Sequence, residues 1–224
     1  MHTQTNNRVL VSWSGGKDCC FALYKAKEQG LEPVSLFTSM PGKEHRTYGH
    51  GLKKEILIRQ AEALDIPIDI AIVETPDYRQ FFLNALLRHK AENNISGMVF
   101  GDLYLMEHRT WLEDVCKEAG ITSYFPLWMK PEEAYPALLE FINLGFESIV
   151  VKIRRDILGE EWLGRKIDLD FTEAAKDFIC PMGENGEFHS FVINGPLFKE
   201  PLQVVIEGKT SDEKEPGITL KLLN

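Results

Sequence analysis

The chain has 224 residues, enough to bury a sizeable core in one large domain or in one domain with an appendage. Its 44% hydrophobic and 26% charged residues are ordinary for a soluble globular protein, and a formal net charge of −9 argues against a broad nucleic-acid-binding surface. No window approaches 18 continuous apolar residues, so we expect no membrane span. The four cysteines have neither paired nor zinc-binding spacing, which favours free thiols in a reducing cytoplasm.

The first half of the chain alternates short apolar runs with longer amphipathic ones, which is typical of strands separated by helices. Five strands are predicted, at residues 8–13, 34–39, 68–73, 97–100 and 123–125. The predicted helices lie between them, at residues 18–29, 52–64, 77–93 and 108–119. This rhythm indicates right-handed βαβ units and a doubly wound α/β fold, a Rossmann-like parallel five-stranded sheet with the strand order 3-2-1-4-5.

Beyond Trp128 the alternation loosens, and we place a boundary there between a domain of residues 1–128 and a smaller α+β domain of residues 129–224. Helices are predicted at residues 131–144 and 171–178, an apolar run covers residues 148–153, and strands are predicted at residues 187–193, 202–207 and 218–223. The polar stretch at residues 208–216 is predicted to form an exposed hairpin loop.

The first strand is followed at once by the run Ser14-Gly15-Gly16-Lys17-Asp18. Two glycines allow the backbone to turn its N–H groups around an anion, the next helix contributes the positive end of its dipole, and Lys17 adds a full charge. These features predict a phosphate-binding loop, although a plain strand-to-helix turn would also favour glycine. The Walker A pattern cannot be drawn through these residues.

In a doubly wound sheet, ligands bind beyond the carboxyl ends of the strands, where the strand order reverses. The predicted order brings Gly101 and Asp102, which end strand four, beside the loop, and it brings Thr38 and Ser39, which end strand two, to the same crevice. Asp102 offers an oxygen for Mg²⁺ or for a hydrogen bond, unless it only caps the next turn. The nucleotide-binding residues expected from strand one, the loop and the helix start are Ser12, Trp13, Ser14, Gly15, Gly16, Lys17, Asp18 and Cys19.

The stretch at residues 45–50 (H-R-T-Y-G-H) is unusually dense in titratable and aromatic side chains for a connecting loop. We interpret it as a flexible lid over the nucleotide, with Tyr48 and His50 as contacts, and a solvated loop is the alternative. The two histidines lie at positions i and i+5, which does not make a helical metal pair, so a zinc site is disfavoured.

A second polar patch covers residues 183–190 (G-E-N-G-E-F-H-S). Gly and Asn suit a tight turn, after which strand alternation places Glu187 and His189 on one face and Phe188 on the other. A carboxylate beside an imidazole suits a cation, an amine or a proton in transit. A hairpin whose polar residues simply face water is the alternative.

The loop resembles the pyrophosphate loop of the ATP pyrophosphatase superfamily, whose members split ATP into AMP and pyrophosphate. From about residue 9 to residue 205, the chain resembles the diphthine–ammonia ligase family of that superfamily. Seven motifs carry the resemblance in the family's order: Ser14-Gly15-Gly16-Lys17-Asp18, Tyr48 with His50, Gly101-Asp102, Pro126-Leu127-Trp128, Trp162-Leu163-Gly164-Arg165, Gly183-Glu184-Asn185-Gly186-Glu187-Phe188 and Pro196-Leu197-Phe198.

The resemblance implies an adenine nucleotide α-hydrolase-like nucleotide-binding half, a substrate-binding second half, and conversion of a carboxylate to an amide with ammonia, ATP and Mg²⁺. The family's substrate is a modified histidine of a translation elongation factor. The loop with Lys17 would hold the β- and γ-phosphates, and Asp18 and Asp102 are candidate Mg²⁺ ligands. After the carboxylate attacks the α-phosphorus, the resulting acyl-adenylate would react with ammonia. The residues expected to position ammonia or accept its proton are Glu184, Glu187 and His189.

Two departures from the family pattern bear on these expectations. Cys19 stands where the loop usually ends in Ser, but backbone N–H groups do most of the phosphate binding, so ATP binding should survive. In the second half, Asn185 replaces a glycine and His189 replaces an acidic residue, in the part expected to recognise the substrate. Members of the family also occur in bacteria, which lack diphthamide. We therefore expect this chain to share the family's chemistry more closely than its substrate.

Two other functions remain open at this point. Thiolation of a nucleobase on the same loop would need a sulfur donor and a reactive Cys19 or Cys20, because a thiol beside Lys17 in the first helical turn should have a lowered pKa. A nucleotide-binding sensor would bind ATP without releasing AMP. For the favoured ligase, the expected partners are ATP, ammonia or ammonium, and a carboxylate on a small molecule or on a modified protein residue, and a second copy of the chain is a further candidate.

Overall fold

The computed structural model describes residues 6–42, 46–210 and 212–223, and a five-stranded parallel sheet forms its centre. The strands are β1 (Arg8–Ser12), β2 (Glu32–Pro41), β3 (Ile68–Val73), β4 (Gly97–Val99) and β5 (Thr122–Tyr124). They lie in the order β3-β2-β1-β4-β5, and every neighbouring pair is parallel. The predicted doubly wound α/β fold and its strand order are therefore confirmed.

Four helices connect these strands and cover both faces of the sheet. They are α1 (Lys17–Glu28), α2 (Lys54–Leu64), α3 (Tyr78–Asn93) and α4 (Met106–Ala119). Successive side chains of the central strand β1 point to opposite faces, and Val9, Leu10 and Val11 are all fully buried. Val9 and Val11 pack into the core below α1 and α2, whereas Leu10 packs into the core below α3 and α4.

The second half of the chain forms two antiparallel strand pairs with two helices. These are β6 (Glu147–Ile153) with β7 (Phe188–Asn194), β8 (Val204–Lys209) with β9 (Ile218–Leu222), and the helices α5 (Ala134–Asn143) and α6 (Leu169–Ala175). Short 3₁₀ turns occur at Pro131–Glu133 and Glu160–Trp162. Within the described residues, every helix is too short or too polar to cross a lipid bilayer.

One hydrophobic core runs from the first half of the chain into the second. Phe21 of α1 meets Phe141 of α5 edge-on, with ring centroids 5.8 Å apart, and Phe141 stacks on Phe146 at 4.5 Å. The predicted division at residue 128 therefore lies within a shared apolar interior, and α1 and β7 are in contact next to the glycine loop.

Some element ends differ from the sequence prediction. Strand β2 continues to Pro41 because it stays paired with β3 as far as Val73. The predicted hairpin loop at residues 208–216 is too long, since Gly208 and Lys209 still pair with β9. Helix α6 ends at Ala175 rather than at residue 178, and the helix predicted from residue 131 begins as a 3₁₀ turn before α5.

Candidate functional site

The glycine loop connects β1 to α1 at the carboxyl end of the central strand, as the topology requires. Gly15 has φ +82°, and a Cβ atom there would lie 2.7 Å from a methyl group of Leu57. A Cβ atom on Gly16 would lie 2.5 Å from His50 Cε1. Both positions therefore exclude larger side chains, one through its backbone conformation and both through close packing.

The buried side chain of Cys19 makes hydrogen bonds to two residues of the glycine loop. Its thiol donates to the carbonyl oxygen of Gly16 at 3.1 Å and lies 3.5 Å from the hydroxyl oxygen of Ser14. Burial raises the pKa of the Cys19 thiol, but hydrogen bonds from Cys20 and Ser14 outweigh burial and lower that pKa overall. Burial raises the pKa of Cys20 well above its usual value. The Cys19 thiol thus makes the contacts that a serine hydroxyl would make in this place.

Lys17 lies inside the protein and is only 2% exposed. Its ammonium nitrogen is 3.0 Å from Asp18 Oδ2 and 4.8 Å from the centre of the Phe188 ring. The side chain packs toward Phe188 of β7 and lines neither cavity, and its contact with phosphates stays a prediction. Burial raises the pKa of Asp18, and Lys17 opposes that shift. The charge of Lys17 therefore reaches the cleft through the Asp18 carboxylate.

Two neighbouring cavities open beyond the loop and share Ser12, Trp13 and Ser14. The first has a volume of about 240 Å³ and is lined by Ser12, Trp13, Ser14, Asp18, Cys19, Gly101, Asp102, Leu105, His108 and Glu184. The second has a volume of about 190 Å³ and is lined by Ser12, Trp13, Ser14, Phe37, Thr38, Ser39, Thr47, Tyr48, Tyr78 and Phe82. Most of the predicted nucleotide-binding residues thus meet in one continuous cleft at the ends of β1, β2 and β4.

Gly101 brings β4 close to the loop, since a Cβ atom on it would lie 2.9 Å from the carbonyl carbon of Asp18. His50 does not line either cavity and packs behind Gly16 instead. Its Nδ1 lies 2.9 Å from the carbonyl oxygen of Ser190, and because a carbonyl only accepts, Nδ1 carries the proton. His45, the first residue of the predicted lid, is outside the described residues.

Three carboxylates, those of Asp18, Asp102 and Glu184, face the first cavity. Burial raises the pKa of Asp102, and His108, whose Nδ1 lies 3.4 Å from Asp102 Oδ1, offsets only part of that rise. Burial raises the pKa of Glu184 to about 7, with repulsion from the two aspartates adding to the shift. The backbone N–H of Leu103 donates to Glu184 Oε1 at 2.9 Å and fixes the direction of this side chain. Glu184 is therefore held at the cleft with a pKa near neutrality.

The first cavity offers carboxylate oxygens of the kind that Mg²⁺ prefers. Asp18 Oδ1 is a buried oxygen without a hydrogen-bond partner, which is a suitable position for a cation. Across residues 6–42, 46–210 and 212–223, no three potential His, Cys, Asp or Glu ligands cluster closely enough to form an all-protein metal site. Mg²⁺ usually binds through one or two carboxylates together with substrate phosphates, so Asp18 and Asp102 fit a phosphate-bound ion.

Glu187 and His189, which were expected to lie side by side, have different partners in the structure. Both oxygens of Glu187 are bound within its own turn, by the backbone N–H of Cys180 at 3.1 Å and by the backbone and side-chain amides of Asn185 at 3.0 and 3.1 Å. The side-chain amide of Asn185 also donates to the Tyr104 hydroxyl at 3.3 Å. Glu187 is thus held by the turn and does not line the cleft.

His189 instead pairs with His50, with ring centroids 4.7 Å apart. Burial lowers the pKa of His50 to about 3, and burial and the charges of Lys152 and Lys17 lower the pKa of His189 to about 4. Both imidazoles are therefore neutral at neutral pH. They join the described part of the predicted lid to the first residues of β7.

Several residues of the site were missed from the sequence. Gln60 is completely buried and contacts the back of the loop, and Ser190 Oγ accepts from the backbone N–H of Lys17 at 3.1 Å. Tyr78 and His108 line the cleft. Gln60 carried a signal as a polar residue on the apolar face of an amphipathic helix, and Ser190 is the last residue of the predicted polar patch at residues 183–190, without an assigned role. Tyr78 and His108 have no local pattern that could have identified them.

Comparison with known proteins gives two family models that match this chain. The model described as "Diphthamide synthase N-terminal domain" matches residues 7–123, and the "Diphthamide synthase C-terminal domain" model matches residues 133–221. A solved structure, the biotin carboxylase subunit of pyruvate carboxylase, covers 98% of this chain and 38% of its own at 14% identity, with a TM-score of 0.29 that is too low to indicate a shared fold.

Three proteins named diphthine–ammonia ligase are similar to this chain. The Schizosaccharomyces pombe protein is 28% identical over 94% of this chain and 38% of its own length. The Danio rerio protein is 26% identical over 87% of this chain and 85% of its own length, and the Homo sapiens protein is 24% identical over 88% and 82%. The chain therefore spans less than half of the fission yeast protein and most of the two vertebrate proteins.

Proposed function

This chain belongs to the diphthamide synthase family, and we propose that it is an ATP-dependent ligase that converts a substrate carboxylate into an amide with ammonia. The observation that carries the proposal is the continuous cleft beyond the glycine loop, in which a helix N-terminus, Gly101 and three carboxylates meet at the strand-order reversal. Proteins named diphthine–ammonia ligase are similar to this chain over most of its length, which supports the same chemistry.

In the proposed reaction, ATP lies across the two cavities, with its phosphates at the loop and its nucleoside toward Thr38, Ser39 and Tyr48. A carboxylate oxygen of the substrate attacks the α-phosphorus, and pyrophosphate leaves. Backbone N–H groups at the start of α1 stabilise the charge of the leaving group, and water is excluded by the walls of the cleft. The acyl-adenylate divides one difficult substitution into two easier steps.

Ammonia then attacks the acyl carbon and AMP leaves, so one proton must be removed from the nitrogen. We assign this step to Glu184, because its carboxylate faces the first cavity and its pKa of about 7 is close to that of an effective base at neutral pH. Asp18 and Asp102 would hold Mg²⁺, which would neutralise phosphate charge when bound. Glu187 contributes indirectly by keeping the turn that carries Glu184 in one conformation.

We further propose that the nucleotide-binding part is residues 1–128 and that residues 129–224 recognise the substrate carboxylate. The turn at residues 183–187 belongs to the second part and reaches the cleft through Glu184. Diphthine, a modified histidine, is the substrate named for the relatives, and a small-molecule carboxylate is the alternative for this chain. The side-chain amide of Asn185 donates hydrogen bonds to Glu187 and Tyr104 and so fixes this turn. This contact is the feature that would alter the choice of substrate.

The test is the nucleotide product formed from α-labelled ATP with Mg²⁺, ammonium and candidate carboxylate acceptors. AMP that appears together with a new amide is expected. Glu184→Gln should still bind ATP but form amide at least about tenfold more slowly, and the rise of the wild-type rate through about pH 7 should disappear. Glu132→Gln, an exposed carboxylate outside the cleft, is the matched control. ADP as the product, or unchanged amide formation by Glu184→Gln, would contradict the proposal.

The same assay separates the two other functions. A Cys19→Ser enzyme should keep its AMP release, because a hydroxyl preserves the contact with the Gly16 carbonyl. Sulfur transfer to a product by the wild type, together with loss of activity in Cys19→Ser, would favour thiolation instead. Tight ATP binding without any AMP release, in the presence of all acceptor fractions, would favour a sensor.

A further inference from the structure

The back of the glycine loop, on the side away from the cleft, rests on α2 and β7. Gln60 of α2 lies at the centre of this contact and is fully buried. Its Oε1 accepts from the indole N–H of Trp13 at 3.0 Å, and its Nε2 donates to the carbonyl oxygens of Gly15 at 3.1 Å and Val192 at 2.7 Å. One side chain thus connects the end of β1, the loop and a strand from the second half of the chain.

The partners of Gln60 fix the orientation of its amide group. An indole N–H only donates, so it must face the amide oxygen, and the two carbonyl oxygens only accept, so they must face the NH₂ group. Both N–H bonds of the amide are used. Because the site is completely buried, a lost partner would leave a polar group without a hydrogen bond and without access to water.

The Gly15 carbonyl oxygen receives a second hydrogen bond, from the backbone N–H of Val192 at 3.0 Å. Two donors therefore hold this oxygen toward α2 and β7. In a trans peptide unit the C=O and N–H bonds point in opposite directions. Fixing the Gly15 oxygen behind the loop consequently turns the Gly16 N–H toward Ser14, which lines both cavities and whose hydroxyl oxygen accepts a hydrogen bond from that N–H at 3.4 Å.

We propose that Gln60 is a positioning residue that orients the Gly15–Gly16 peptide so that its N–H holds the hydroxyl group of Ser14 at the edge of the cleft, and that it thereby sets the affinity of the loop for polyphosphate. Strand β7 also positions the loop, because the Val192 N–H donates to the Gly15 carbonyl oxygen and Ser190 Oγ accepts from the Lys17 N–H. The inference rests on the proposed function only in requiring that the loop binds phosphate, and amide formation is not needed to test it.

The Gln60→Glu substitution keeps the shape of the side chain and changes its donors. An ionised carboxylate has no hydrogen to offer to the Gly15 and Val192 oxygens, and it repels both of them. A protonated carboxyl group can donate one hydrogen bond. Burial favours this neutral form, and the neutral form becomes more populated as the pH falls. Gln60→Met has a similar length and no charge, and it removes both donors at every pH.

The experiment measures binding of inorganic pyrophosphate, ATP and adenosine by calorimetry, to the full chain and to these two variants. We expect both variants to bind pyrophosphate and ATP at least about tenfold more weakly than the wild type at pH 8, with adenosine affinity changed by less than about twofold. At pH 6 the Gln60→Glu deficit, relative to the wild type at that pH, should shrink, and the Gln60→Met deficit should not. Gln80→Glu, an exposed position on α3, is the control and should bind all three ligands normally.

A side chain that only stabilises the fold would lower the melting temperature and weaken adenosine and pyrophosphate binding in proportion. That result would overturn the inference, and so would normal pyrophosphate binding by Gln60→Met. If the wild type binds pyrophosphate but forms no amide, the ligase proposal fails, and the variants still decide the role of Gln60.

Discussion

At the scale of single residues, the position of Lys17 determines what its charge can do. The ammonium group is buried and lies 3.0 Å from the Asp18 carboxylate, so the nearest charge that it stabilises is that of Asp18. Burial alone would raise the pKa of Asp18 further if this cation were removed. Asp18 would then remain protonated closer to neutral pH and could no longer bind a cation.

Lys17→Met keeps most of the buried volume and removes only the charge. We expect kcat/KM for ATP-dependent AMP release to fall at least about tenfold at pH 7, because Asp18 loses the ion pair that opposes the rise of its pKa on burial. Lys27→Met, an exposed position on the same helix, should leave the rate unchanged. Wild-type turnover by Lys17→Met, measured beside its thermal unfolding, would show that the charge is dispensable.

At the scale of elements, the segment of residues 46–53 joins the nucleotide cleft to β7. A bridge between Arg46 and Lys53 closes the segment, Tyr48 lines the second cavity, and His50 packs against His189. Gly49 has φ +67°, and a Cβ atom there would lie 3.0 Å from His189 Cε1. The segment is therefore positioned by its contact with the second half of the chain.

Gly49→Ala and Gly51→Ala form a matched pair, because both glycines have nearly the same positive φ and only Gly49 faces a neighbour. Each alanine should cost about 1–2 kcal/mol of stability through its backbone conformation. Only Gly49→Ala should also displace Tyr48 and weaken ATP binding severalfold, as calorimetry would measure. Adding His189→Ala to Gly49→Ala should restore much of the affinity, whereas equal binding by the two single variants would contradict this role for the segment.

At the scale of the whole molecule, the two halves share one core. The rings of Phe21, Phe141 and Phe146 join α1 to the second half, and the glycine loop has hydrogen bonds to β7 through Gly15 and Lys17. The proposed nucleotide site has its back wall in the second half, so residues 1–128 alone cannot complete it. We therefore expect the halves to unfold together.

Phe141→Ala should lower the free energy of unfolding by about 3–5 kcal/mol, because it leaves a cavity where the ring is fully buried. Urea unfolding followed by circular dichroism and by tryptophan fluorescence should give coincident transitions for the wild type and the variant. Phe178→Ala, at a ring that is 59% exposed, should change the free energy little. Two separate transitions in the wild type would contradict a shared core.

Local patterns in the sequence were sufficient for the parallel sheet and for the place of the cleft. The strand and helix periodicity of the first half fixes the βαβ units, and chirality then limits their order. The glycine run between β1 and α1 and the pair Gly101-Asp102 both follow strands, so their meeting at one edge of the sheet follows from topology.

The direction of individual side chains at the site was decided only by the tertiary structure. Lys17 belongs to the loop motif, yet it turns inward because Asp18 and Phe188 offer a charge and a ring there. Glu187 adjoins a strand, yet donors of its own turn hold its carboxylate away from the cleft, while Glu184 faces the cleft. Such choices depend on contacts between residues far apart in the chain, as between Gln60 and Val192, and no local period encodes them.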